Sequence, residues 1–379
     1  MKYIDEFRAA DLARGLTAAI ARKVLPERSY RLMEFCGGHT HAISRYGVAD
    51  LLPACVRLIH GPGCPVCVLP IGRIDQAIRL ALAHGVILCT YGDCLRVPAS
   101  DKLSLQRARS QGADVRMVYS PLDAVRIARE QPGREVVFLA IGFETTTPPS
   151  AVAVLQAQAE GLENFSLLCN HVLTPAAMHA ILAAPGGTAI DAFIGPAHVS
   201  TVIGSAPYQT FARDYGKPVA IAGFEPLDVM RAIQLLIQQI NAGRAEVDNE
   251  FTRAVTPHGN RKAQALVEQV FALRASFSWR GLGEIRQSAL TLRPEYAGFD
   301  AEIRFALPDV AVADHKACEC AAILRGEKQP QQCRIFGTAC TPDNPIGSCM
   351  VSSEGACAAH YSYGRWRAAG AEESLPHAH

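Results

Sequence analysis

Short, nearly continuous apolar runs, most of them followed by a polar turn bearing glycine or proline, restrict the fold of this chain more than any other feature. They are Arg31–Phe35, Val56–Ile59, Val86–Thr90, Val115–Tyr119, Val136–Ile141, Phe165–Cys169, Ala192–Ile194 and Val219–Ala222. A run that is apolar at successive positions reads as a strand buried on both faces. Between the runs lie stretches with helical periodicity. In Ile71–His84 the residues Ile74, Ala77, Ile78 and Ala81 fall on one face, and Leu103–Gln111, Pro121–Glu130 and Leu227–Ile240 read as further helices. Strands alternating with helices call for parallel sheets covered on both sides, an α/β fold.

At 379 residues the chain is too long for one ordinary core. An amphipathic stretch over residues 5–24, with Phe7, Leu12, Leu16 and Ile20, precedes the first strand and stops at Pro26. After Asn241 the rhythm ends. Phe251–Thr256 and a helix over Arg261–Leu273 lead into a tail dense in Cys, Gly and Pro. The expected division is a helical segment over 1–30, one α/β domain over 31–132, a second over 133–243, and a mainly helical or irregular, cysteine-rich domain over 244–379. Leu139–Glu144 echoes Ala220–Glu225, a short hint that the two α/β domains are related. Ala368–His379 is small and polar and is expected to fray.

The unusual polar clusters all fall at the carboxyl ends of predicted strands. They are Cys36–His41, His60–Cys67, Asp93, Glu144–Thr147, His171, His198–Ser200 and Glu225. In open parallel sheets that is the edge where ligands bind, and helix N-termini point there too. One cleft lined by thiols, imidazoles, carboxylates and hydroxyls is the economical inference. Each member also has a plainer reading. His60 can satisfy its own turn, Thr145–Thr147 can cap a helix, and Glu144 or Glu225 can sit in a first helical turn. Cys36, between a strand end and Gly37–Gly38, is expected to be exposed and reactive.

The chain has thirteen cysteines, a balanced net charge of +1 and about half hydrophobic residues. There is no basic surplus to engage nucleic acid or an anionic membrane. Met1–Arg8 has Asp5 and Glu6 and no apolar core of a signal peptide, and no long apolar run suits a membrane span. The expected compartment is the cytoplasm, where clustered thiols point to metal or redox chemistry more than to structural disulfides. Cys64–Pro65–Val66–Cys67 on a Gly-Pro-Gly turn fits thiol–disulfide exchange or soft-metal handling, its thiols activated by a helix starting near Pro70. Cys333-x6-Cys340-x8-Cys349-x7-Cys357 offers four thiolates on an irregular chain. That set suits a [4Fe–4S] cluster, or a zinc site of the same ligand type. Cys318 and Cys320 are either spare ligands or a second redox pair. Cys55, Cys89 and Cys169 read as small buried hydrophobes.

Cys36–His41, Gly61–Cys67, Gly92–Pro98, Gly142–Thr146, Gly223–Asp228 and Cys340–Ser352 resemble, in order, the motifs of the hydrogenase-maturation family HypD. The likeness runs from about residue 30 to Tyr363, with Cys94 as a possible departure. It implies two related α/β domains and a cluster domain. It implies a scaffold on which the Fe(CN)2CO unit of [NiFe]-hydrogenases is assembled, more than a conventional turnover enzyme. The partners implied are a HypC-type chaperone and a HypE-type cyanide carrier, the latter with its carbamoyltransferase. Carried over residue by residue, Cys36 is an iron ligand and Cys64 and Cys67 form a redox pair. Cys333, Cys340, Cys349 and Cys357 hold a [4Fe–4S] cluster. By their place in the motifs, the Thr145 and Thr146 hydroxyls are expected to hold cyanide, His39 to act as a donor beside the iron or as a proton source during cyanide transfer, and Glu144 to be a further catalytic candidate. The readings set against it are a stand-alone Fe–S thiol–disulfide oxidoreductase and a zinc-stabilised α/β binding module.

Overall fold

The computed structural model describes residues 5–184 and 189–364; the expected frayed end at Ala368–His379 lies outside them. In chain order the strands of the α/β part are β1 (Tyr30–Glu34), β2 (Val56–His60), β3 (Ile87–Thr90), β4 (Val115–Met117), β5 (Val136–Gly142), β6 (Phe165–His171), β7 (Ala192–Gly195), β8 (Val219–Ile221) and β9 (Val247–Asn249). They form two all-parallel sheets, ordered β2-β1-β7-β8-β9 and β4-β3-β5-β6. The α/β class expected from the rhythm is what the chain adopts.

The sheets do not follow the expected boundary between 132 and 133. Residues 31–132 supply β2 and almost all of β1 to one sheet and β3 and β4 to the other, and residues 133–243 are shared out in the same way. The chain starts the first sheet, leaves to build the second, and returns. The reason is physical: a strand's apolar pattern reports that it is buried, not which neighbour it pairs with.

Helices follow most strands. They are α1 (Ala10–Ala21), α2 (Gly37–Tyr46), α3 (Pro65–Val68), α4 (Ile71–Ala83), α5 (Leu105–Ser110), α6 (Pro121–Glu130), α7 (Thr147–Ala159), α8 (Thr174–Leu182), α9 (Ala197–Ile203), α10 (Gln209–Tyr215), α11 (Pro226–Asn241) and α12 (Arg261–Val270). Local chemistry sets several ends. β4 stops at Met117 instead of Tyr119, because Ser120 and Asp123 form a capping box that starts α6. α5 begins at Leu105, where Ser104 accepts the amide of Arg107. α12 ends at Val270, and Phe271–Leu273 pairs antiparallel with Leu290–Leu292. A second antiparallel ribbon joins Ser276–Trp279 to Gly283–Arg286. Beyond these ribbons the cysteine-rich segment is short helices and turns, among them Cys320–Leu324 and Ala356–Ala359.

One hydrophobic core joins the parts. Met33 and Phe35 of the first sheet, Leu139 of the second, Trp279 of a ribbon, and Cys349 and Met350 of the tail belong to the same buried cluster. The strand ends, the Cys64–Cys67 turn and the tail are thereby packed against one another.

Candidate functional site

The site starts with a buried charge. Glu34, the last residue of β1, is fully buried, and in register its neighbour on β2 is His60. Its carboxylate accepts the amide of Cys36 at 3.0 Å, the hydroxyl of Thr40, and Nδ1–H of His60 at 2.9 Å. A buried carboxylate is tolerated only with such partners. Here they tie the Cys36 turn, helix α2 and the His60 turn to one side chain. His60 therefore does more than satisfy its own turn.

The glycines allow the two cysteine turns to touch. Gly37 N–H donates to Gly63 O at 3.0 Å. A Cβ on Gly63 would lie 2.5 Å from the Cys36 nitrogen, and one on Gly38 would lie 2.3 Å from the Phe224 ring. A Cβ on Gly37 would meet Glu354 at 2.4 Å, so this acidic side chain of the tail reaches the same turn.

Cys36 is 6% exposed, not open as its glycine neighbours led us to expect. Burial, then Glu354 and Glu34, push its thiol up to about 12, against a smaller opposing pull from the amides of Gly38 and His198. At neutral pH it holds its proton, and a bound cation is what would release it. His39 is fully buried, and its Nε2–H points at the carbonyls of Ala222 and Gly223, each at 3.0 Å. Burial lowers its pKa. The ring is neutral, with Nδ1 buried and unpartnered. In this state Nε2–H is committed to the two carbonyls, and Nδ1 is open to accept a hydrogen bond.

Cys64 and Cys67 are joined as a disulfide, with their Cα atoms 5.3 Å apart. The helix expected near Pro70 is α4, with Pro70 as its N-cap, and a one-turn helix, α3, precedes it from Pro65 with Cys64 as its N-cap. Both cysteines are buried, at 3% and 0% exposure. Ser348 of the tail covers them: its hydroxyl donates to Cys67 O at 2.9 Å, and its carbonyl lies 4.0 Å from Cys67 Sγ.

In the second sheet, β5 ends at Gly142, whose φ of +144° suits glycine; a Cβ there would collide with the Thr146 hydroxyl. Thr146 donates to Ile141 O and Phe143 O, both at 3.2 Å, and Thr147 to Phe143 O at 3.0 Å. These two hydroxyls serve their own turn, the plainer of the two readings; Thr145 is half-buried beside them. Glu144 is buried and accepts Thr174 N–H at 2.9 Å and the Thr174 hydroxyl at 3.0 Å. Burial pushes its carboxyl up to about 7. Between the motifs lies Tyr208, buried and hydrogen-bonded to Ser200 at 3.2 Å. Its pKa is raised well above the usual value by burial and, after the opposing Ser200 bond, by the charges of Glu144 and Cys36. Glu225 is a helix cap: with Asp228 it closes a capping box on α11, and Arg8 donates to it at 2.8 Å.

The tail gathers thiols: Cys320, Cys340, Cys349 and Cys357 are buried, and Cys318 and Cys333 are half-buried. Cys318 and Cys320 stand close together, and their mutual influence raises the Cys318 pKa, as that of Cys320, Cys349 and Cys340 raises the Cys357 pKa. A Cβ on Gly347 would strike the sulfurs of Cys318 and Cys320 at 2.4 and 2.6 Å, so glycine keeps that space open. Cys333 faces Glu319 instead. Among the described residues no three His, Cys, Asp or Glu side chains converge as a ready-made metal site. Arg280, with a side chain 3% exposed, has Nε 3.0 Å from Asp314 Oδ1, yet Nε and Nη2 lack an aligned hydrogen-bond partner. Its amide donates to Val68 O beside Cys67. In donor chemistry, Cys320, Cys340, Cys349 and Cys357 fit a thiolate-bound group, and a nearby buried cation with unmet N–H groups suits an anionic one.

Glu34, Ser348, Glu354 and the burial of Cys320 carry no clear signal in the sequence. Glu34 could have been found as the acidic residue interrupting an apolar strand. Ser348 and Glu354 flank Cys349 in a cysteine-bearing segment and carry no signal of their own. Cys89 and Cys169 are buried hydrophobes as expected, whereas Cys55 is only half-buried.

The HypD family model, described as the hydrogenase formation hypA family, matches residues 11–364. The chain is similar to the hydrogenase expression/formation protein HupD of Azotobacter chroococcum mcd 1, with 65% identity over 376 residues, 98% of this chain and 99% of that protein. It is similar to the hydrogenase maturation factor HypD of Azotobacter vinelandii, 65% identical over 97% of this chain and 98% of the relative. To the HypD of Escherichia coli (strain K12) it is 44% identical over 96% and 98%. No helix of the described residues is long and apolar enough to cross a membrane.

Proposed function

The chain belongs to the HypD family and acts in hydrogenase maturation; from that premise we propose that it is the scaffold on which the Fe(CN)2CO unit of a [NiFe]-hydrogenase is assembled. The observation that carries the reading is the interlocking of the Cys36 turn with the Cys64–Cys67 turn through Gly37 and Gly63. It sets a candidate metal ligand directly beside a candidate redox pair.

Cys36 loses its proton to bind the incoming iron, which is cargo here, and a soft thiolate suits low-spin iron carrying cyanide and carbon monoxide. A HypC-type chaperone brings a second thiolate, and a HypE-type carrier, charged with its carbamoyltransferase partner, delivers cyanide. His39 Nδ1 accepts a hydrogen bond near the iron. Glu144, half-protonated near neutrality, is placed to hold or return a proton. Thr145 offers a hydroxyl, while Thr146 holds the turn beneath it. When the Cys64–Cys67 dithiol closes, its two electrons would be taken up by a thiocyanate on the carrier, whose S–C bond breaks to give thiol and cyanide, with one proton going to the carrier sulfur and the other to solvent. Cys340, Cys349 and Cys357, with Cys320 in the place expected for Cys333, would hold a [4Fe–4S] cluster, which when bound supplies single electrons. The proposed compartment is the cytoplasm.

Burial of Cys64 and Cys67 argues against the stand-alone oxidoreductase, which must meet a protein disulfide. The test is complementation of a strain lacking its own copy. The native chain should restore hydrogenase activity, and Cys36→Ala should not, though it folds and keeps its visible absorption. Full restoration by Cys36→Ala would overturn the reading.

A further inference from the structure

The segment Gly92–Asp93–Cys94–Leu95–Arg96–Val97–Pro98 lies between the second sheet and the tail. It follows β3 as a 3-10 turn over Gly92–Arg96, fixed from beneath by Cys94 and Val97, both fully buried. Its two charged side chains reach out to the tail. Arg96 Nη1 donates to Pro342 O at 3.0 Å and Nη2 to Val351 O at 3.3 Å. Asp93 Oδ2 accepts the Ser352 hydroxyl at 2.7 Å. The stretch held at both flanks, residues 342–352, carries Ser348 and Cys349, and Ser348 is the residue that lies on Cys67.

We propose that Arg96, assisted by Asp93, is a positioning residue that presses segment 342–352 onto the Cys64–Cys67 pair and so sets how readily that pair opens and what can reach it. The inference rests on the reading of Cys64–Cys67 as a redox pair. Its logic is one of packing. Reducing the disulfide takes up two electrons and two protons and pushes the sulfurs apart to van der Waals contact. A segment packed on the fully buried Cys67 opposes that separation. It also keeps soluble thiols away. Holding the segment down therefore favours the closed disulfide and slows its reaction. Arginine suits the task because one planar group spans two carbonyls, which a lysine cannot do at once.

The test uses the full chain equilibrated with reduced and oxidised glutathione, in which dithiol plus glutathione disulfide exchanges with protein disulfide plus two glutathiones. The redox state of Cys64–Cys67 is read by alkylation and mass spectrometry. Arg96→Ala should lower the equilibrium constant for closing the protein disulfide about tenfold, or about 30 mV. It should also speed alkylation of reduced Cys67 at least tenfold. Arg96→Lys should recover part of both effects, and Ser352→Ala should shift both in the same direction by less. Both Asp93 and Arg96 are exposed, so the cores remain intact. If the pair cycles in the native chain while Arg96→Ala and Ser352→Ala leave both readouts unchanged, the positioning role is refuted and the redox reading stands. If the pair does not cycle in the native chain, the redox reading fails and takes this inference with it. Should Arg96→Ala not fold, Arg96→Lys and Ser352→Ala decide by the same two readouts.

Discussion

Replacing Glu144 by Gln should leave the protein about as stable as the native chain in acid and make it more stable in base. The carboxyl is buried, and its pKa is raised from 4.5 to about 7, chiefly by burial. A group whose pKa is raised on folding contributes stability that is fully present below its unfolded value and is lost as pH rises through the folded value. The gap between 4.5 and about 7, at about 1.4 kcal/mol per pH unit, amounts to about 3 kcal/mol. Glutamine stays neutral throughout. Its oxygen can accept Thr174 N–H and its amide can meet the Thr174 hydroxyl, so it mimics the protonated acid. The difference in unfolding free energy should open from nearly zero at about pH 4.5 to about 3 kcal/mol in favour of Gln at about pH 9. Urea titrations followed by Trp279 emission are suitable, since that indole lies 6.1 Å from the Phe143 ring, next to Glu144. With a slope of about 3 kcal/mol per molar, the midpoints should separate by about 1 M in base. Parallel curves at all pH values, or a less stable Gln variant in base, would refute both the raised carboxyl and its use as a proton carrier near neutrality.

The thiol group of the tail makes two further predictions. Cys320→Ser should cost most of the visible iron–sulfur absorption and bound iron, while Cys333→Ser should retain both; metal analysis and absorption spectra of purified chains decide between them. Gly347→Ala should behave as Cys320→Ser does, because the added methyl meets two of the sulfurs.

How much of this could be read from the sequence depends on the range of each interaction. The strands were visible because a doubly buried strand is apolar at every position, as in Val136–Gly142. The site edge was visible because the polar turns follow those strands directly. Sheet membership was hidden: nothing within Val56–His60 says that its neighbour is Tyr30–Glu34, or that Ala192–Gly195 lies beyond it. The same limit explains the cysteines. Spacing picked out Cys333, which is half-buried, and gave no sign that Cys320, at a helix start, is buried like Cys340, Cys349 and Cys357. Exposure misled at Cys36, where Gly37 and Gly38 make room for Glu354 and Phe224 instead of solvent. Thr146 and Glu225 were ambiguous between chemistry and capping, and both carry out capping or turn work.

Cys36 is the thiolate proposed to hold the iron unit as it is built. Infrared spectra of the chain purified together with a HypC-type partner test this most directly. The native pair should show the sharp stretching bands of iron-bound cyanide and carbon monoxide. Cys36→Ala should lose them while the iron–sulfur absorption of the tail is unchanged. Bands of native intensity in Cys36→Ala would contradict the central claim.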